Sequence, residues 1–338
     1  MKIIKNPKTG LLALATDDGK RVTKYEYTII EPANQYGLHK VMRIDDEGPQ
    51  YGWDTNECWG YINSKGKEVV PTIWCDKEAM GDYDENGYCE IYYEDRSALY
   101  STTGSVFKFD YPIEEEEFFE GIIIKMPYGV YITNNYTNEK FGMFASKSGK
   151  VVDFDYDDIS CFNVFGVAKT TQDKLTDSNI PFAPSEREPR YGIINYLGVK
   201  ILPCEYRQII GLPNGIDHSF YEENISYDQQ SSYATDKTYR GLVLIENEAH
   251  EWGAINLGSE QPIKLTFKYE SVNTFDGNYC AVKDSKTHYW GVIDVAANEV
   301  VPCKYNTPEE ALKVLADIAE IAPKKLIEQK FVITKRKK

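Results

Sequence analysis

The chain has 338 residues, 42% of them hydrophobic, enough to bury a sizeable core and too many for a disordered chain. A formal net charge of −15 excludes a surface built for nucleic acid or anionic membrane, because phosphate recognition needs clustered cations. No apolar run approaches a bilayer span, and Met1 to Thr16 lack the features of a signal peptide, so the expectation is a soluble cytoplasmic protein.

The 26 tyrosines, with 14 Phe and 5 Trp among glycines and turn residues, suit strands better than helices. In chain order, one frame recurs about seven times. It is weak at Gly10 to Tyr25, around an Asp17-Asp18-Gly19 turn. It is clear at Trp59-Gly60-Tyr61-Ile62-Asn63, followed by Gly66, Pro71 and Trp74. It is weak at Ser97-Ala98-Leu99-Tyr100, which leads to Gly104 without the aromatic-Gly pair. It returns at Phe141-Gly142, Tyr191-Gly192, Trp252-Gly253 and Trp290-Gly291. The late aromatic lies the same distance from the motif glycine in four copies: Trp74 from Gly60, Tyr156 from Gly142, Tyr206 from Gly192 and Tyr305 from Gly291. The copy at Gly253 has its aromatic, Tyr269, two residues later.

An alternating strand precedes most copies: Gly37-Leu38-His39-Lys40-Val41, Gly87-Tyr88-Cys89, Gly121-Ile122-Ile123-Ile124, Gly166-Val167-Ala168, Gly241-Leu242-Val243 and Gly277-Asn278-Tyr279. This lead strand and the aromatic-Gly strand form an antiparallel pair. Asn63 to Gly66 reads as a turn whose glycine takes a positive φ and reverses the chain into Glu68-Val69-Val70. Pro71 has no N–H to give a ladder, so it marks a strand end or edge. The motif glycine leaves room for a ring from the next strand or copy to lie over bare backbone. One such unit cannot bury both faces, so copies pack against their neighbours.

These residues resemble the WG-repeat family of bacterial proteins, most closely at Trp59-Gly60-Tyr61-Ile62-Asn63-Ser64-Lys65-Gly66-Lys67-Glu68-Val69-Val70-Pro71. The resemblance spans roughly residues 10 to 306. It implies an all-β tandem array of β-hairpin or three-stranded repeats, as an open curved array or a propeller-like closed ring, with an interaction role by analogy. It carries over no catalytic residue. Thr307-Pro308-Glu309-Glu310 then reads as N-cap, first-turn proline and capping-box glutamate of an amphipathic helix ended by Pro323. The expected organisation is a repeat domain over 1–306, a capping helix region over 307–330 and a basic tail over 331–338.

Candidate chemistry is sparse. The histidines, His39, His218, His250 and His288, show no metal or triad spacing, and the seven cysteines show no CxxC. Cys89 and Cys280, and likewise Cys204 and Cys303, hold matching repeat positions and read as small core residues. No catalytic residue, metal or cofactor is expected. Two insertions, 170–190 and 213–240, interrupt the frame. Phe220, Tyr221, Tyr227 and Tyr233 in the second are candidate partner-binding residues, since tyrosine offers contact area at little entropic cost. The expected function is a non-catalytic protein-interaction or scaffolding module, in one version an acidic immunity or regulatory protein that holds a basic partner. A polymer-acting hydrolase and a carbohydrate-binding protein are the alternatives.

Overall fold

The computed structural model describes residues 1–48, 56–75, 77, 80–93, 96–107, 123–135, 139–163, 165–175, 187–212, 241–258, 265–273 and 279–317. These form antiparallel strands and one C-terminal helix. Two compact units emerge, one of Met1–Lys125 with Gly129–Phe154, the other of Met126–Tyr128 with Asp155–Lys338. Each is taken separately below.

The second copy displays the plan. A lead strand, Leu38–Ile44, pairs with the motif strand, Glu57–Asn63, which pairs with a return strand, Glu68–Trp74. The motif–return turn is a type I turn closed by a left-handed residue. The Gly66 N–H donates to the Asn63 carbonyl at 2.8 Å, and the Asn63 N–H to the Lys67 carbonyl at 2.9 Å, with φ 75° at Gly66. The Asn63 side-chain oxygen also accepts the N–H groups of Lys65 and Lys67, at 2.9 and 3.1 Å. Asn195 and Asp294 do the same in later copies. The turns that feed the lead strands reuse the device at Asn34, Asp84 and Asn163.

The register explains the fixed distance to the late aromatic. Trp59 lies opposite Trp74, Tyr191 opposite Tyr206, Trp252 opposite Tyr269 and Trp290 opposite Tyr305. Two residues along, Tyr61 faces Val70, which is four residues from Trp74, so the return strand carries two extra residues between these pairs. Pro71 sits in this bulge, on a strand at the sheet edge, where its missing N–H costs no ladder bond. The motif glycine faces the bulge. A Cβ at Gly60 would stand 2.7 Å from the Val70 carbonyl oxygen and 2.8 Å from the Thr72 Cα, and one at Gly291 would stand 2.6 Å from the Val301 carbonyl oxygen. The occupant is therefore mainly the copy's own return backbone, not a ring from a neighbour. Rings approach only at Gly142 (Phe154) and Gly253 (Phe267).

Beyond the late aromatic the same chain pairs with the next lead strand. After Tyr27, which bonds Leu12, the Thr28 N–H donates to Met42, and Ile29 pairs with Met42. After Tyr206, the Arg207 N–H donates to Glu246. Tyr269 pairs with Trp252 on one side and Asp284 on the other.

The observed pairings correct two bounds of the sequence reading. The first copy ends at Tyr27, not Tyr25, with Ala13 at the glycine position. The lead strand of the Phe141 copy is Val130–Asn135 after Gly129, because these residues pair with the motif strand. Ile124–Met126 forms the strand outside it, which the Gly121–Ile124 reading had mistaken for the lead.

The cores lie between successive copies. Leu14 and Tyr27 pack with Ile30, Val41 and Ile62; Trp59, Tyr61 and Trp74 pack with Met80, Tyr83, Cys89 and Ile91. In the second unit, Val167 and Ile193 pack with Val243 and Ile255, and Leu244 and Tyr269 with Cys280 and Ile293. The last copy is covered by the helix instead, whose fully buried Ala311 meets Val292 and Val301. Residues 308–317 are helical, with the Glu310 N–H on Thr307 Oγ1 at 3.2 Å and the Asn306 N–H on Glu310 Oε2 at 3.0 Å.

Two stability measurements check this account. Gly60→Val and Gly291→Val should each destabilise by about 1–3 kcal/mol in denaturant unfolding, since the branched side chain must push the bulge aside. Thr307→Ala should cost about 1 kcal/mol through the lost cap.

Candidate interaction surface

The described residues spend most of their aromatic and polar chemistry on holding the copies together. Tyr36, just before Gly37, donates its hydroxyl to the Asp84 carbonyl in the next copy at 2.6 Å. Tyr128, just before Gly129, donates to the Asn163 carbonyl at 3.0 Å. Phe165, just before Gly166, lays its ring against Gly241 and Gly258. Each ring reaches from one lead turn to another. Tyr27, Tyr61, Tyr83, Tyr100, Tyr131, Tyr156 and Tyr269 are buried, and among tyrosines whose surroundings are described only Tyr289 exposes a large part of its ring.

The Asp84 turn is the most elaborate junction. Its carboxylate accepts the Tyr131 hydroxyl, the N–H groups of Asn86 and Tyr88, and the Lys125 ammonium at 3.0 Å. Burial pushes this carboxyl up, but those four donors together outweigh it and hold it below its ordinary value.

The titratable side chains read from the sequence fall into structural places. His39 is buried with Nδ1 on the Glu31 carbonyl at 2.8 Å. His250 and His288 occupy left-handed turn positions, φ 61° and 59°, beside Glu246 and Glu270. His218 lies outside the described residues. Cys89 and Cys280 each direct Sγ to a main-chain carbonyl, of Gly81 and of Asn273; burial pushes the Cys89 thiol up to about 12. Lys169, held down by burial, and Lys40 share one lead-strand position, and Lys40 donates to the Met80 carbonyl at 3.0 Å. Among the described residues no group of three or more His, Cys, Asp or Glu is placed to hold a metal, and no helix is long and apolar enough to cross a membrane.

Among the described residues the copies depart most from their shared plan at the fifth. Its lead and motif strands, Val167–Leu175 and Arg187–Asn195, have nine residues each, against seven or fewer in the other described strands. The first insertion thus begins and ends as a continuation of the hairpin, paired as Gln172–Arg190, Asp173–Pro189, Lys174–Glu188 and Leu175–Arg187. Arg190 braces this ribbon. Its side chain, only 7% exposed, reaches Glu188 at 3.0 Å and Glu248, on the corresponding hairpin of the sixth copy, at 2.5 Å. The hydrogen bond to Glu248 raises the Arg190 pKa and lowers that of Glu248. Arg207 stands 3.8 and 3.9 Å from the same two carboxylates. The ribbon's outward main chain is covered by side chains: Asp157 accepts the Asp173 N–H at 2.7 Å, and Arg190 donates to the Pro189 carbonyl at 3.1 Å. Leu175 at its outer end is 63% exposed.

Phe220, Tyr221, Tyr227 and Tyr233 lie outside the described residues, as do Glu114 to Glu117, residues 176–186 and the basic tail. The motif residues Trp59, Gly60, Phe141, Gly142, Tyr191, Gly192, Trp252, Gly253, Trp290 and Gly291 all sit in motif strands. The bracing residues Glu188, Arg190, Arg207 and Glu248 carried no signal, because they are distant in sequence. The Asn and Asp turn acceptors were visible, three residues before Gly37, Gly66, Gly87, Gly166 and Gly198.

A family model, WG containing repeat, matches residues 59–74. This segment is a WG repeat. It contains the Trp59–Trp74 pair, the bulge and the Asn63 turn. An aromatic pair across motif and return strands recurs at Tyr191–Tyr206, Trp252–Tyr269 and Trp290–Tyr305. No curated protein matches the chain. Solved structures similar to it include a Kuenenia stuttgartiensis hydrazine synthase, at 11% identity over 88% of this chain and 90% of that one, TM-score 0.23. A eukaryotic initiation factor matches at 9% identity over 90% and 88%, TM-score 0.24, and Kluyveromyces lactis Hsv2p at 8% over 87% and 92%, TM-score 0.22. Scores at this level carry nothing over to this chain.

The Asp84 junction has a pH signature. A carboxyl depressed in the folded state adds stability above its unfolded pKa of about 4, and that stability is lost as pH falls through the folded value. Tyr131→Phe should therefore lower stability at pH 7 and narrow its gap to wild type by pH 3, measured by denaturant unfolding at both. A gap equal at the two pH values would assign the effect to packing alone.

Proposed function

We propose that the chain is a non-catalytic protein-interaction module whose partner docks on the hairpins of the fifth and sixth copies. The observation that carries this reading is the ribbon. Where other copies turn back, the fifth extends its ladder, pins it with a buried arginine and covers its edges, which prepares a projecting, pre-ordered element. The second insertion, 213–240, directly precedes the lead strand of the sixth copy and brings Phe220, Tyr221, Tyr227 and Tyr233 to that region of the sequence. The net charge of −15 favours a basic partner, in the manner of an immunity or regulatory protein, and a cytoplasmic setting suits a chain with unbridged thiols.

The test uses two shortened proteins, each first shown to melt cooperatively. One replaces 173–189 by Asn-Gly, closing the ribbon at the Gln172–Arg190 pair; the other lacks 219–234. Capture from a bacterial lysate, with cross-links mapped by mass spectrometry, should place cross-links on one of these segments. Recovery should fall at least tenfold in the matching deletion and weaken as salt rises. Equal recovery by all three proteins would move the site elsewhere.

A further inference from the structure

Cys58 starts the motif strand of the second copy just before Trp59, and Cys75 follows Trp74 at the end of the return strand. Because Trp59 lies opposite Trp74, the two cysteines flank the last pair of the two strands, and Cys75 is among the groups that act on the Cys58 thiol. Another copy reveals what side chains at these positions do. Tyr191 lies opposite Tyr206, so Arg190 and Arg207 are the equivalent pair. Both guanidinium groups approach Glu188 Oε2, at 3.0 and 3.8 Å, and both approach Glu248 Oε2, at 3.3 and 3.9 Å. Side chains at this pair converge. A disulfide needs Cβ atoms about 3.5–4.5 Å apart, so a closing movement of these two strand ends is what brings the thiols into bonding range.

We propose that Cys58 and Cys75 are a reversible thiol modification site, which a low-molecular-weight disulfide converts into a cross-strand bond clamping the corner of the second copy. Cys75 is 8% exposed and Cys58 1%, so Cys75 meets the oxidant first. Its thiolate attacks one sulfur of oxidised glutathione and releases one glutathione thiolate. The Cys58 thiolate then attacks the Cys75 sulfur of the mixed disulfide, and the second glutathione leaves as a thiolate. Two protein thiols are oxidised, one external disulfide is reduced, and the two cysteine protons end on the two glutathiones. Burial, with Asp45 beside it, pushes the Cys58 thiol up, while Arg43, paired with it across the lead strand, acts in the opposite direction. The exchange is therefore slow at neutral pH and faster in alkali or when the corner opens. The new bond would tie motif to return strand outside the bulge, at the point where the chain leaves one copy for the next.

The experiment treats the folded protein with oxidised glutathione at pH 8, with and without urea below the unfolding transition, then alkylates and digests it with trypsin. The expected product is peptide 44–65 joined to peptide 68–77, two hydrogens lighter than the separate pair and released by dithiothreitol. The oxidised protein should melt several degrees higher, because the crosslink restricts the unfolded chain. Cys58→Ala and Cys75→Ala should each abolish both the joined peptides and the shift, and either variant suffices if the other misfolds. Glutathione remaining on Cys75 without the join, a join to a different cysteine, or no join in either condition would each overturn the assignment.

Discussion

The array depends on one backbone constraint: a return strand followed by another copy must pair with the motif strand behind it and then hand the chain to the lead strand ahead of it. The aromatic pair, such as Trp59 with Trp74, marks the last point of the first pairing; the next lead strand takes over within one or two residues after Tyr27 and Tyr206, and at Met80 after Trp74. To make that change of partner the strand must swing over the motif strand, and the bulge supplies the extra length. A side chain at the crossing would collide with main chain that cannot move aside, so Gly60, Gly192 and Gly291 are bare where they are crossed. Proline within the bulge follows from the same geometry, since no ladder bond is available there to lose.

Packing follows from this hand-over. Because each copy supplies only one side of a core, stability resides in the interfaces, as expected for a repeat array. The tyrosine hooks add a polar complement: Tyr36 and Tyr128 place hydroxyls on the Asp84 and Asn163 carbonyls, which also accept the turn N–H groups of Gly87 and Gly166. An abundance of tyrosine is therefore largely a property of the scaffold, which removes composition as an argument for a binding face. The burden passes to places where the plan is broken, and among the described residues the braced ribbon of the fifth copy is the largest such break.

The repeat was legible because its signals are local. A glycine three residues after Asn or Asp, an aromatic beside glycine, and proline a fixed distance on all report backbone needs met within one hairpin, so even degenerate copies keep them. The Thr307 cap and helix were legible for the same reason. The errors arose where a strand's partner, rather than its own pattern, decides its role. Ile122-Ile123-Ile124 follows a glycine and is as β-branched as any lead strand, yet Val130–Asn135 pairs with Phe141-Gly142, and nothing short of the register distinguishes them.

The sequence by itself determined the strand class, the turn positions and the terminal helix, because those rest on φ preferences, side-chain alternation and capping within a few residues. Only the tertiary structure decided what lies over the motif glycine, which tyrosines are spent between copies, how Arg190 reaches Glu248, and that Cys58 and Cys75 flank the Trp59–Trp74 pair. These are meetings of residues far apart along the chain, set by how strands pair and copies stack, and no local preference encodes them.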